Sequence, residues 1–159
     1  MIFVTVGSQM AFDRLVAAVD AWAAARSPAP DVFAQIGPSA YVPRALRHAQ
    51  ALTPAEFNAQ VAAADVIVAH AGMGSVLTAL ELGKPLVLMP RRGDLQETRN
   101  DHQLATARWL AQRPGIYVAM DESGLDAALG AALAGAQGGP AISPYATPAL
   151  IAAIQAFIA

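Results

Sequence analysis

Two periodicities alternate along the chain. Short, unbroken apolar runs predict buried strands at residues 2–6, 31–36, 66–69, 85–89 and 115–120, with a further short strand at 49–52. Between them, apolar residues recur at three- and four-residue spacing. Phe12, Leu15, Val16, Val19 and Trp22 give one apolar face to a helix over 13–25. Similar patterns predict helices over 54–64, 75–82, 100–112, 122–134 and 148–159. Thr53, Pro54 and Glu56 supply cap, first-position proline and third-position acid for the second of these. Gly83 is a stop signal for the third. Residues 91–98 read as a polar loop, and 136–144 as a Gly/Pro-rich link.

Apolar strands alternating with helices predict an α/β domain: one doubly wound, Rossmann-like, mainly parallel sheet covered on both faces. No repeat and no long linker divides the 159 residues, so the whole chain reads as one domain. In such sheets ligands bind beyond the carboxyl ends of the strands, where the strand order reverses. The segments 7–8, 72–75 and 91–103 all follow strands and can face one ligand.

Composition changes this picture in two ways. Hydrophobic residues make up 55% and charged residues 14%, richer in apolar groups than is usual for a free-standing domain. Close helix–sheet packing or a surface covered by a partner would account for this. The formal net charge of −2 gives no support to nucleic acid as a partner. The absence of cysteine removes disulfides and thiolate metal sites and fits a reducing compartment. No signal-peptide pattern opens the sequence, and no apolar run approaches the ~20 residues that span a bilayer. The expected location is cytoplasmic.

The densest chemistry lies in His70-Ala71-Gly72-Met73-Gly74-Ser75. A strand meets a double-glycine turn and then a helix. Gly72 and Gly74 are expected to let the backbone bend and a ligand approach, with Ser75 capping a helix whose first N–H groups can take an anion. Gly7-Ser8-Gln9 repeats the theme after the first strand. Either turn can instead be a plain tight turn, and His70 an ordinary hydrogen-bonded residue. Arg91, Arg92 and Arg99 can neutralise a diphosphate or an acidic sugar, or be surface charges. Asn100-Asp101-His102-Gln103 offers amide, carboxylate and imidazole groups suited to sugar hydroxyls, or a helix start capped by Asn100 or Asp101. Glu81 could take ribose hydroxyls or be solvated near Lys84, and Thr78 sits one turn closer to the phosphate end.

Several classes drop out. The first turn is not GxGxxG, and Gly37-Pro38 stands where a dinucleotide site carries its acidic residue. A Walker A motif and a Gly-x-Ser-x-Gly elbow are both missing. His70 and His102 have no partner at metal-ligand spacing, so no metal is expected.

Thr5-Val6-Gly7-Ser8-Gln9, the 70–75 turn, Gly83-Lys84-Pro85 and Asn100-Asp101-His102-Gln103-Leu104-Ala105-Thr106-Ala107 together resemble the C-terminal, donor-binding half of the MurG-related GT-B glycosyltransferases. The resemblance runs from Met1 to about Glu122. It is nearest to the small catalytic subunits of two-part UDP-N-acetylglucosamine and exopolysaccharide transferases. It implies a UDP-sugar donor, metal-independent transfer of a hexose-type sugar to a lipid-linked or polysaccharide acceptor, and no cofactor. Gly7, Ser8 and the Gly72, Met73, Gly74, Ser75 turn would hold the diphosphate, with Arg91 in support and Gln9 as a further substrate contact. Asn100, His102 and Gln103 would meet the donor sugar. The ribose-binding Glu of many relatives is Thr78 here, with Glu81 three residues on. The implied partner is a membrane-anchored acceptor-binding subunit, reached by the apolar helix over 148–159, which could equally pack on its own sheet. That partner would recruit the chain to the cytoplasmic face of the membrane. His70 is a candidate base, though the base is more naturally placed on the partner. The alternatives are a non-catalytic nucleotide-sugar-binding module and an epimerase or dehydrogenase fragment. The last is disfavoured by the missing Rossmann fingerprint and the missing Tyr-x-x-x-Lys pair.

Overall fold

Six parallel strands form a single sheet in a computed structural model that describes residues 1–135 and 138–158. The strands are β1 (Ile2–Thr5), β2 (Val32–Gln35), β3 (Arg47–Ala49), β4 (Val66–His70), β5 (Leu86–Met89) and β6 (Ile116–Val118). Their order is β3-β2-β1-β4-β5-β6, and every pair is parallel. From β1 the chain first moves outward through β2 to β3. It then crosses back and lays β4 on the other side of β1. The order therefore reverses between β1 and β4, which fixes where a ligand cleft can open.

The helices are α1 (Asp13–Ala24), α2 (Pro54–Ala63), α3 (Met73–Glu81), α4 (His102–Leu110), α5 (Leu125–Gly135) and α6 (Pro148–Ile158), and the first five cover the two faces of the sheet. Alternation along the strands sends residues to opposite faces. Ile2, Val4, Val68 and Val87 join Leu15, Val16 and Val19 of α1 and Leu125 and Leu129 of α5 in one core. Phe3, Ile67, Leu86 and Leu88 join Val61 of α2, Val76 and Leu80 of α3 and Leu110 of α4 in the other. Both faces are buried, which is why these strands read as continuous apolar runs.

Local signals act as expected at α2 and α3. Thr53 and Glu56 form the reciprocal capping box. Gly83 adopts φ +59 just beyond α3, and the following Lys84 N–H bonds back to Ala79 O at 2.9 Å.

Several boundaries differ from expectation, each for a local reason. β3 is Arg47–Ala49, not 49–52, because its register is set by pairing with Phe33–Gln35 of β2. β6 is limited to Ile116–Val118. α3 begins at Met73 with Gly72 as its N-cap, so Ser75 lies in the first turn and does not cap it. α4 begins at His102 with Asp101 as N-cap and no capping bond from its side chain. Asp101 Oδ1 instead accepts from Gly93 N (2.9 Å), while Asn100 Oδ1 accepts from His102 N (3.2 Å). A short 3₁₀ turn, Glu122–Gly124, precedes α5, set by Asp121 accepting from Ser123 N. The expected 136–144 link falls partly outside the described residues. From 138 onward it runs back past α3, where Ile142 N donates to Leu80 O (3.1 Å). α6 follows, and none of its residues is buried. Residue 159, the expected helix end, is also outside the described residues.

Candidate functional site

The carboxyl ends of β1, β4 and β5 surround a cleft of about 380 Å³. Gly7, Ser8, Gln9 and Met10 form one wall. His70, Gly74 and Ser75 form another, and Arg91, Thr98 and Gln103 close the third side. A second cleft of about 450 Å³ shares Gly7, Ser8, Gly74 and Ser75 with the first and adds Thr78, Gln35, Leu52, Phe57 and Asn58. The two glycine-bearing turns thus stand at the middle of one groove with an arm to each side.

The β1 turn is shaped from within. Thr5 Oγ1, in the buried end of β1, donates to Gln35 Oε1 (2.7 Å) and accepts from Gly7 N (3.2 Å). Gly7 sits at φ +79, a backbone conformation that disfavours a side chain. On the opposite wall α3 begins, with its first intrahelical bond running from Val76 N to Gly72 O (3.2 Å). The amides of Met73, Gly74 and Ser75 precede that bond and carry the positive end of the helix dipole.

His70 lies between the two turns. A Cβ on Gly72 would stand 2.2 Å from His70 Nε2, and one on Gly7 would stand 2.9 Å from His70 Cε1. The glycine at 72 is therefore required by the imidazole, a protein group, rather than by an approaching ligand. Nothing lies within 4 Å of a Cβ built on Gly74, so the space there is open. Nδ1 of His70 is buried and has no hydrogen-bond partner. Burial of the ring, and then the nearby Arg91 charge, push its pKa down to about 4, with the Thr5 backbone opposing. The imidazole is neutral at pH 7.

The polar residues beyond β5 divide. Arg91 is buried, and its terminal N–H groups donate to backbone carbonyls of Val6, Met10, Ala11 and Glu97. It lines the cleft but is not the free cation expected for neutralising a diphosphate. Arg92 forks onto Asp94 (2.6 and 3.0 Å), and Arg99 is exposed. Gln103 is buried and accepts from Arg91 N (3.1 Å). Asn100 and His102 are exposed, contact each other and lie outside the cleft lining. Gly72 and Met73 also stand off the first cleft. Thr78 lines the second cleft while donating to Gly74 O (3.0 Å). Glu81 is exposed at the far end of α3 and reaches neither cleft. Among the described residues no cluster of His, Asp or Glu could hold a metal ion.

Gln35, Arg14 and Glu97 were not legible as parts of this region, and Thr5 stood in the 5–9 motif without a role of its own. Arg14 grips Glu97 through both carboxylate oxygens (2.7 and 2.8 Å), fastening the 91–99 loop to α1. The signals that could have found Thr5 and Gln35 are their positions as polar residues ending apolar strands.

The six-stranded parallel sheet with its switch point between β1 and β4 defines a Rossmann-like α/β domain, half of a GT-B fold. The profile of the glycosyltransferase family 28 C-terminal domain matches residues 1–131, and the chain belongs to that family. Among solved structures, that of ALG13 is similar over 96% of this chain and 93% of its own length, with 18% identity and a TM-score of 0.61. CalG4, the calicheamicin glycosyltransferase, is similar over 84% of this chain, with 21% identity and a TM-score of 0.57. The spinosyn forosaminyltransferase SpnP is similar over 82%, with 17% identity and a TM-score of 0.58. The chain spans about a third of the length of CalG4 and SpnP, 33% and 34% respectively. Comparison with curated proteins finds no match.

Proposed function

We propose that this chain is the donor-binding subunit of a UDP-sugar glycosyltransferase that works with a separate acceptor-binding subunit. The observation that carries the reading is the groove at the β1/β4 switch point, whose two arms share Gly7, Ser8, Gly74 and Ser75. The diphosphate belongs on that shared section, against the amides of the β1 turn and the first turn of α3. Thr78, at the position the resemblance gives to ribose, lines one arm, and Gln103, at a donor-sugar position, lines the other. The nucleoside then lies toward Thr78, Leu52 and Phe57. The sugar lies toward Gln103, with Gln9 beside it, while Asn100 and His102 are proposed as sugar contacts from the resemblance alone. Thr78 offers a single hydroxyl where a carboxylate would grip both ribose hydroxyls, so ribose recognition is weak.

The chemistry that suits this arrangement is displacement at the anomeric carbon by an acceptor hydroxyl. The departing UDP is stabilised by backbone dipoles aimed at its phosphates, with no metal or cofactor. His70, neutral and hard to protonate, is a poor proton acceptor at neutral pH. The base is assigned to the partner subunit, and His70 to contact with the donor.

The partner also accounts for α6. Leu150, Ile151, Ile154, Phe157 and Ile158 are all exposed, and residues 127–159 carry no charge. Such a helix needs apolar cover. Among the described residues no helix is long and apolar enough to cross a membrane. We assign membrane association, at the cytoplasmic face, to the partner, and the acceptor to lipid-linked or polysaccharide chains.

The test has two arms. Calorimetric titration with UDP and a panel of UDP-sugars measures donor binding by the chain itself. Transfer to a lipid-linked acceptor is then assayed with the partner subunit present. Binding of UDP, with turnover only in the complex, is the expected outcome. UDP binding without turnover in the complex would leave a non-catalytic module, and absence of UDP binding would end the donor reading.

A further inference from the structure

The turn after β1 has no ladder or helix to satisfy its carbonyls, yet those of Val6, Met10 and Ala11 face inward. A single guanidinium meets all three. Arg91 Nη2 donates to Val6 O (2.7 Å) and Met10 O (2.7 Å), while Nη1 donates to Ala11 O and to Glu97 O (3.2 Å). These four bonds occupy the four terminal N–H groups and leave only Nε–H. The residue is 4% exposed, and the centre of the Phe12 ring lies 4.8 Å from the guanidinium carbon. Gln103 holds the Arg91 backbone, and Arg14 holds the carboxylate of Glu97. Arg91 therefore ties the loops at the ends of β1 and β5 into one body.

We propose that Arg91 is a positioning residue that fixes the Val6–Ala11 turn in its anion-accepting shape, and that its guanidinium does not bind the phosphates of the ligand. The inference rests on the donor-binding reading of that turn. It concerns a different question, namely which groups touch the donor and which hold those that do. A buried arginine in a phosphate cleft would ordinarily be taken as a phosphate clamp. Here its terminal donors are already committed to carbonyls, and exchanging them for phosphate would leave those carbonyls buried and unpaired.

The two roles respond differently to substitution. An ammonium can neutralise phosphate as a point charge, but its three N–H groups diverge from one atom and cannot span four carbonyls. Arg91→Lys and Arg91→Met should therefore behave alike. In the ligand-free protein, backbone order parameters across residues 7–11 should fall in both variants from the rigid range of about 0.85 to about 0.6 or below, and affinity for UDP should fall by about tenfold or more. A clamp role predicts instead that Arg91→Lys keeps most of the UDP affinity with the order parameters unchanged. That result, or unchanged order parameters at 7–11 in Arg91→Met, would overturn the proposal.

A measurement on the unsubstituted chain covers the case in which the variants do not fold. The Arg91 Nη–H resonances should be individually resolved and protected before any ligand is added, and should stay so when UDP saturates the cleft. Rapidly averaging Nη–H signals in the free protein would overturn the inference. If UDP fails to bind the unsubstituted chain, the donor reading falls while the order-parameter and resonance measurements still decide the role of Arg91.

Discussion

The carboxyl end of the sheet and the C-terminal helix stand in opposite states of completion. At the sheet end, buried Thr5, Gln35, Arg91 and Gln103 all bond to other protein groups. Among the described residues, the buried side-chain nitrogen or oxygen without a partner is His70 Nδ1, in the cleft wall. Along α6 the polar accounting is trivial, but the apolar surface is uncovered, with Phe157 90% exposed and Ile154 51% exposed. One region is closed on itself and open to a small polar ligand. The other folds as a helix but buries nothing. The chain is thus complete around its cleft and uncovered where it presents bulk hydrophobic surface.

The largest effect expected from that contrast is on association. Ile154→Asp with Phe157→Asp removes two exposed anchors, and binding to an acceptor-side partner should weaken by about 30-fold or more, the scale of a lost interface hot spot. Folding stability should stay within about 0.5 kcal/mol of the parent, since neither residue packs on the sheet. Thermal unfolding and a pull-down titration read the two quantities separately. A fall of many degrees in Tm would mean that α6 covers its own domain, and the comparison would break.

Next is the pH response of the closed region. His70 has a folded pKa of about 4 against 6.5 for a free imidazole. The unfolded chain therefore binds a proton that the folded chain excludes. The associated stability is fully present above about pH 6.5 and is lost as the pH falls toward 4, by about 3 kcal/mol. Carboxylates titrate at the lower end of that range too, so the comparison is with His70→Gln, whose urea-unfolding free energy should change less between pH 7.5 and 4. Parallel profiles would show that the imidazole is solvated in the folded protein and excludes no proton.

The sequence shows most of the frame and less of the wiring. Continuous apolar runs revealed the parallel, doubly covered sheet, because burial on both faces leaves no alternation to mask them. The capping box at Thr53 and the stop at Gly83 were legible because each acts within a few residues. Boundaries set by distant groups were not. The start of α4 depends on Asp101 accepting from Gly93, and β3 on its register with β2. At the site, the residue types were visible but their obligations were not. Arg91 looked like a free cation because its four carbonyl partners lie far away along the chain or in irregular loops. Gly72 and Gly74 looked equivalent because spacing does not reveal which of them faces an imidazole.

Those two glycines allow the finest division between what the protein needs and what a ligand needs. Gly72→Ala places a methyl 2.2 Å from His70 Nε2, and the forced shift should cost about 1–3 kcal/mol of stability. Gly74→Ala meets nothing within 4 Å. Its fold should be unchanged, or more stable by up to about 1 kcal/mol, because alanine is the better helix former. Yet Gly74 lines both arms of the groove, so the added methyl stands where the diphosphate is placed, and UDP affinity should fall even though the domain is intact. Chemical denaturation and calorimetry on the two variants give the pattern directly. If Gly74→Ala binds UDP as the parent does, the phosphate does not approach α3 at that turn, and the glycine there is only a permissive residue in a helix start.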